Sequence, residues 1–349
     1  LKRVGNLYEK IYEMSNLERA LKNAARNKKN RSGVKKILNN PKQFLLILQD
    51  MLINETYNLH PAYEKKIREY TKERQIKIPK FFPDQIIHWA ISLVVEKYIN
   101  KGMYKYCCGS VKGRGIHYCK SYIDSFYRKK GRRKYLLKID IRKFYQHVDH
   151  EKLKEKFRRK FKDKKLLRLL DSIIDNGGEG IPIGFYTSQW FSNFYLEQLD
   201  HFIKEILHVK YYARYVDDMV LIDYNKRKLH RARLQIEEML NILNCSMEHK
   251  WQLWRMHSRP LDFVGYKFYP NKTLLRKKIF IKLNRIARRM KDKLCLKRCR
   301  IFLSLYGWFS HLKSCVHYYN SYIIKYVSIR QMKRLISKSQ LLLNRSIRV

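Results

Sequence analysis

No stretch of the sequence approaches the ~20 uninterrupted apolar residues of a membrane-spanning helix. The most apolar window, Ile86 to Ile99, is interrupted by His88, Glu96 and Lys97 and reads as a packed helix. Acidic residues are scarce: 30 Asp and Glu stand against 77 Lys and Arg, a net charge of +47. A compact chain repels itself at that charge unless a polyanion neutralises it. A disulfide framework is missing too. The cysteines number seven, an odd count, and Cys107 and Cys108 are adjacent, so free thiols in a reducing compartment are expected. Cys295, Cys299, His311 and His317 do not follow a zinc-finger spacing. The start, Leu1-Lys2-Arg3-Val4-Gly5-Asn6, lacks a secretory pattern, so a cytoplasmic location is expected. The absence of an initiator Met there points to a trimmed start. There is no internal repeat and no low-complexity linker.

What is present is a large core and a polyanion's counterpart. Hydrophobic residues make up 45% of the chain, enough to bury a core across two or three lobes. The cations spread along the whole chain instead of forming one amphipathic tract, which favours nucleic acid over a membrane surface. The 26 tyrosines add faces on which bases can stack.

Apolar spacing predicts mostly helix up to about residue 80, with a basic break at Asn27 to Arg31. A Gly-rich, basic segment runs from Tyr104 to Tyr118. Leu136 to Ile141 is a short apolar strand containing Asp140, and residues 150 to 175 read as basic helix. Ser188 to Leu207 reads as one amphipathic helix, and Tyr211 to Ile222 as strand, tight turn, strand. Arg231 to Leu243 is helical, Phe263 to Phe268 is a strand holding a glycine, and basic amphipathic helices follow from about 277.

Asp217-Asp218 falls at the predicted turn, and Asp140 ends an earlier strand in the same way. Adjacent carboxylates repel one another, and divalent metal relieves this better than arginine. Two such strand ends side by side can hold two Mg²⁺ ions ~3.5–4 Å apart, with Mn²⁺ as a substitute, and clamp the attacking and leaving oxygens of a phosphoryl transfer.

Tyr215-Val216-Asp217-Asp218 matches the YxDD box of reverse transcriptases. Asp140 to His150 resembles their first palm motif, Gly180 to Gln189 their second, and Phe263-Val264-Gly265-Tyr266 their primer-grip turn, all in the family's order. Most members carry Gln-Gly and Ser-Pro in the second motif, where this chain has Ile183-Gly184 and Ser188-Gln189. That departure resembles the reverse transcriptases of diversity-generating retroelements, as do Gly109 to Tyr118 in the fingers and Tyr306 to His311 in the thumb.

The resemblance implies an α+β right-hand polymerase fold. A basic N-terminal extension (1–70) would precede fingers (71–137), palm (138–270, with a helical insertion at about 150–180) and a helical thumb (271–349). It implies a bacterial or phage RNA-directed DNA polymerase that copies a template-repeat RNA into cDNA, with errors at adenines, and that binds the RNA–DNA duplex and dNTPs. A small basic, oligomeric accessory protein would be its partner. Asp140, Asp217 and Asp218 would be catalytic, with the Ile141 carbonyl as a further metal ligand. Lys112, Arg114, Tyr145 and Gly184 would contact the dNTP, with Tyr145 as the gate under the sugar and Phe144 in the core. Ile183, Ser188 and Gln189 would face the template and set fidelity, and Phe263, Gly265 and Tyr266 would grip the primer. His147 and Asp149 read as structural. The rival readings are a reverse transcriptase of another lineage (group II intron, retron or phage defence) and a catalytically idle RNA-binding scaffold.

Overall fold

Polar caps and apolar spacing place four helices at the start of the chain in the computed structural model, which describes residues 2–69, 72–129, 133–291 and 294–345. They are α1 (Tyr8–Tyr12), α2 (Met14–Ala24), α3 (Ser32–Asn39) and α4 (Pro41–Ile53). Their apolar stripes bury Ile11, Leu17, Ala20 and Leu48 against a later helix, α5 (Ile86–Asn100). Asn16, 5% exposed, ties α2 to α5 by donating to the Ala90 carbonyl at 3.1 Å. The Asp163 carboxylate accepts from the Leu7 and Tyr8 amides, both at 2.9 Å, so the N-terminal helices are built into the body of the enzyme.

The expectation of helix up to residue 80 fails at 63–78. There β1 (Tyr63–Glu69) and β2 (Lys72–Ile78) form an antiparallel hairpin, from Tyr63 opposite Ile78 to Glu69 opposite Lys72. Both faces of this hairpin are largely polar, so the alternation that marks a half-buried strand never appears in its sequence. The division drawn at residue 70 falls between these paired strands, and residues 70–71 lie outside the described ones.

After α6 (Ile116–Arg128) come β3 (Tyr135–Ile139), α7 (His150–Lys160) and α8 (Lys164–Asp175). The side chains of Asp149 and Asp163 cap α7 and α8 by accepting from the Lys152 and Leu166 amides. The single helix expected from Ser188 to Leu207 is instead α9 (Tyr186–Tyr195) and α10 (Glu197–His201), broken at Leu196 and continued by a looser turn at 202–206. Then follow β4 (Tyr211–Tyr215), β5 (Asp218–Asp223), α11 (Lys226–Ile242) and β6 (Gln252–Arg255).

The central sheet has the order β4-β5-β3-β6, with every pair antiparallel. Its side chains alternate strictly between two cores. Leu137, Ile139, Tyr212, Met219 and Leu221 enter the core shared with α5, α7–α9, α11 and the N-terminal helices. Leu136, Tyr211, Ala213, Val220 and Ile222 enter the second core, under α6 and the C-terminal region. Burial on both faces explains why these strands read as near-continuous apolar runs. Each fully buried aliphatic side chain contributes roughly 1.5–3 kcal/mol.

A small three-stranded sheet, β7 (Leu261–Phe263), β8 (Tyr266–Phe268) and β9 (Thr273–Leu275), precedes α12 (Lys277–Arg288), α13 (Leu296–Phe309), α14 (Lys313–Tyr318) and α15 (Ile329–Arg345). The strand expected at 263–268 is therefore a hairpin, with Val264 (φ 41°) and Gly265 (φ 85°) forming its turn. Among the described residues no helix is long and apolar enough to cross a membrane.

Candidate active site

Strand register assembles the carboxylates. Ile139 on β3 pairs with Met219 on β5, and Tyr215 pairs with Asp218 across the β4–β5 turn. Continuing the register by one residue sets Asp140 opposite Asp218, where antiparallel Cα atoms lie about 4.5–5.5 Å apart. Asp217 is in the two-residue turn itself, next to Val216, whose φ of 61° is unusual for a β-branched residue. The Asp140 carbonyl accepts from the Glu248 amide at 2.8 Å, which fixes the end of β3. Ile141 is buried and bridges to Met247, and the Arg142 amide donates to the Ser246 carbonyl.

The electrostatics separate the two adjacent acids. Burial, joined by the Asp218 charge, lifts the Asp217 carboxyl above the usual carboxylate range, while Arg74 and Arg214 pull it down. Asp218 forms an ion pair with Lys138 at 3.5 Å. Among the described residues no three His, Cys, Asp or Glu side chains converge as a closed metal cage. The donors do suit magnesium: hard oxygens at strand ends, two of them crowded together, leaving positions that substrate phosphates and water fill.

A buried network holds the turn from below. Arg214 is fully buried and forks onto Asp200 through Nε (2.7 Å) and Nη2 (2.5 Å). The Tyr212 hydroxyl donates to the same carboxylate at 2.7 Å. Arg214 Nη1 donates to Asn193 Oδ1 (3.1 Å) and to the Val216 carbonyl (2.9 Å), and Asn193 Nδ2 donates to the Gly109 carbonyl (2.7 Å). Gly109 lies so close to Val216 that an added Cβ would stand 2.9 Å from the Val216 amide nitrogen. One guanidinium thus links the Gly-rich loop, α9 and the acidic turn.

The remaining expected residues divide. Phe144 is buried and Tyr145 half-buried, as expected, although both sit on a 3₁₀ turn and not on a strand. The Tyr145 carbonyl accepts from the Ile181 amide at 2.8 Å, joining the first and second motifs. Its hydroxyl lies 3.5 Å from Ser192 Oγ. Gly184 (φ 119°) is pressed against the Lys77 carbonyl, and the Ile183 carbonyl accepts from the Lys77 amide at 2.8 Å, so the β1–β2 hairpin docks on the second motif.

Ser188 does not face the cleft. It is 1% exposed in α9, and of the pair only Gln189 is exposed. Arg114 is likewise diverted: its Nη1 donates to the Tyr104 (2.6 Å) and Cys107 (2.9 Å) carbonyls, stapling the Gly-rich loop, while Lys112 remains exposed. Phe263 and Tyr266 are fully buried, and an added Cβ on Gly265 would collide with the Trp308 ring. The grip segment is therefore seated on α13.

Sequence reasoning missed Arg74, Lys138 and Arg214. Arg74, on the hairpin, acts on both Asp217 and Tyr145. Lys138 stands one position from the end of the strand that Asp140 follows, and this spacing was the only available signal.

A sheet of this order, with carboxylates at the ends of its two central strands and helical lobes around it, is the palm of a right-hand nucleic-acid polymerase. The model of the reverse transcriptase (RNA-dependent DNA polymerase) family matches residues 65–268, and the chain belongs to that family. In fold it is similar to apo telomerase from Candida tropicalis, with a TM-score of 0.55 and 14% identity over 80% of this chain and 58% of that one. A structure of that telomerase truncated from its C-terminal domain gives a TM-score of 0.49 and 15% identity, over 64% of this chain and 58% of the other. The chain thus spans somewhat over half the length of these telomerase structures. No curated protein matches it in sequence.

Proposed function

We propose that the chain is an RNA-directed DNA polymerase that makes cDNA from a template-repeat RNA in a diversity-generating retroelement, with errors concentrated at adenines. The observation that carries the polymerase reading is the register placing Asp140 against the Asp217-Asp218 turn. In the reaction a primer 3′-OH attacks the α-phosphorus of a dNTP, a new P–O bond forms, and pyrophosphate leaves.

Asp140, Asp217 and the Ile141 carbonyl would hold the metal, with Asp218 supporting them from its ion pair with Lys138. A bound Mg²⁺ pair supplies charge stabilisation at the attacking and leaving oxygens. The protein does the rest. Lys112, on the exposed loop, and Arg74, on the hairpin, meet the triphosphate in place of Arg114. Tyr145 lies under the sugar and excludes a 2′-hydroxyl. Gly184 lets backbone approach the nascent pair. Phe263, Gly265 and Tyr266 shape the turn that receives the primer, and the basic helices α12–α15 track the backbone of the RNA–DNA duplex. A small basic accessory protein, oligomeric in this reading, completes the assembly.

The retroelement assignment is supported by Ile183-Gly184 and Ser188-Gln189 in the second motif. Ile183 presents an aliphatic side chain where most of the family has an amide, which loosens hydrogen-bonded control of the pair.

Primer extension on poly(rA) with dTTP and Mg²⁺ tests the polymerase reading. Incorporation that is abolished in Asp217→Asn is expected. No incorporation by the full chain, even with cellular RNA and partner proteins added, would instead favour the scaffold reading. On an adenine-rich template, Ile183→Gln is expected to lower misincorporation at adenines, and an unchanged error spectrum would refute that role.

A further inference from the structure

Between the N-terminal helices and the start of α9 lies a cavity of about 450 Å³ that the proposed reaction leaves unused. Its size falls within the ~300–1,000 Å³ of ordinary ligand sites. Three walls meet there. Arg26, Lys28 and Arg31, from the turn between α2 and α3, supply cations, and no acidic residue lines the cavity. Burial and the neighbouring Arg31 charge lower the Lys28 pKa, so cations are crowded at this wall. An anion would relieve that crowding.

The second wall is aromatic. The Trp89 indole stacks on the Tyr186 ring at 3.8 Å and 19°, an arrangement suited to receiving a base. The third element is His88. It lines the cavity, is 1% exposed, and neither ring nitrogen has a hydrogen-bond partner. Its ring rests against Phe185 with centroids 5.0 Å apart. Burial holds its pKa down at about 3, so the imidazole is neutral at ordinary pH and presents one donor and one acceptor. Buried polar groups in native proteins are nearly always satisfied, and this one has a cavity in front of it.

Phosphate-binding cations, a stacking platform and an unsatisfied donor–acceptor pair match the three parts of a nucleotide. Gly184 and the exposed Gln189 line the same cavity, so it opens beside the second motif. We propose that this cavity binds one unpaired nucleotide of a single RNA strand, ahead of the point of copying, and that the N-terminal helices exist to complete it. The placement ahead of copying rests on the polymerase reading; the RNA site itself does not. A free nucleotide shares the same chemistry, and the experiment separates the two.

The test uses the full chain and a 12-nucleotide single-stranded RNA carrying 4-thiouridine. Photocrosslinks are expected in the segments containing Trp89 or Tyr186, and crosslinks confined to other segments would overturn the proposal. Arg26→Gln/Arg31→Gln alters two exposed side chains, so the fold is retained, as circular dichroism will verify. In fluorescence anisotropy this double variant is expected to bind the RNA about tenfold more weakly, with a shallower salt dependence. Unchanged affinity and salt slope would overturn the proposal. Displacement of the crosslink by millimolar ATP or dATP would assign the site to free nucleotides and refute the strand assignment. Crosslinking without primer extension would sink the polymerase reading and leave this site standing, and extension without crosslinking would do the reverse.

Discussion

Removing either partner of the buried Asp200–Arg214 pair isolates a charge that has no access to water, since both side chains are fully buried. Asp200→Leu leaves the guanidinium without its carboxylate, and Arg214→Met leaves the carboxylate with only the Tyr212 hydroxyl. Each single change is expected to cost about 3–5 kcal/mol, a large share of the roughly 5–15 kcal/mol that keeps a domain folded. The double variant Asp200→Leu/Arg214→Met removes both charges together, and burying apolar side chains in place of an ion pair is often neutral or better. Its stability should therefore exceed the additive expectation by at least about 2 kcal/mol.

Function should not recover with stability. Arg214 donates to the Val216 carbonyl at 2.9 Å and steadies a residue at φ 61°, a conformation that costs of order 1–3 kcal/mol and persists only while its surroundings enforce it. Without that donor the turn relaxes and Asp217 shifts, and a displacement near 1 Å can cost about 10²-fold in rate. Urea unfolding of the four proteins gives the coupling energy, and single-turnover extension on a preannealed RNA template gives the rate. Additive single effects, or a double variant with wild-type rate, would refute the reasoning.

Three further outcomes are expected. Burial lowers the His88 pKa to about 3, so the unfolded chain takes up this proton first, near pH 6.5. Stability should therefore fall as the pH drops below 6.5, by about 2 kcal/mol at pH 5, and a His88→Leu variant should lack this component in pH-resolved thermal melts. Gly184→Ala places a Cβ 2.4 Å from the Lys77 carbonyl oxygen at φ 119°. The strain, about 1–3 kcal/mol, should loosen the β1–β2 hairpin and raise hydrogen exchange at the Lys77 amide. Tyr145→Ala should cut the preference for dNTPs over rNTPs by about 10²-fold, measured by competing the two in single-nucleotide extension.

The parts legible in the sequence were those whose physics is local. β3, β4 and β5 are buried on both faces and announce themselves as apolar runs, and the acidic turn sits between two of them. The β1–β2 hairpin stayed hidden because, on two largely polar faces, nothing alternates. Arg114 was placed at the triphosphate because a cation in a Gly-rich loop has reach; the fold spends that reach on two carbonyls of the same loop. Arg74 and Arg214 could not be singled out among 77 basic residues, because their importance comes from what the fold sets beside them. Ser188 was read from the chemistry of its motif, whereas its place in α9 turns it inward.

The Trp308 ring occupies the space beside Gly265 that a Cβ would need, and the Tyr266 hydroxyl, 3.4 Å from the Trp308 carbonyl, also meets His117, which stacks on His311 at 3.6 Å. The hairpin turn and α13 are therefore locked like two halves of a hinge pin, and neither can swing without carrying the other. Damage to α13 would then be felt first as a misaligned strand terminus during each addition, and only second as early release of the product.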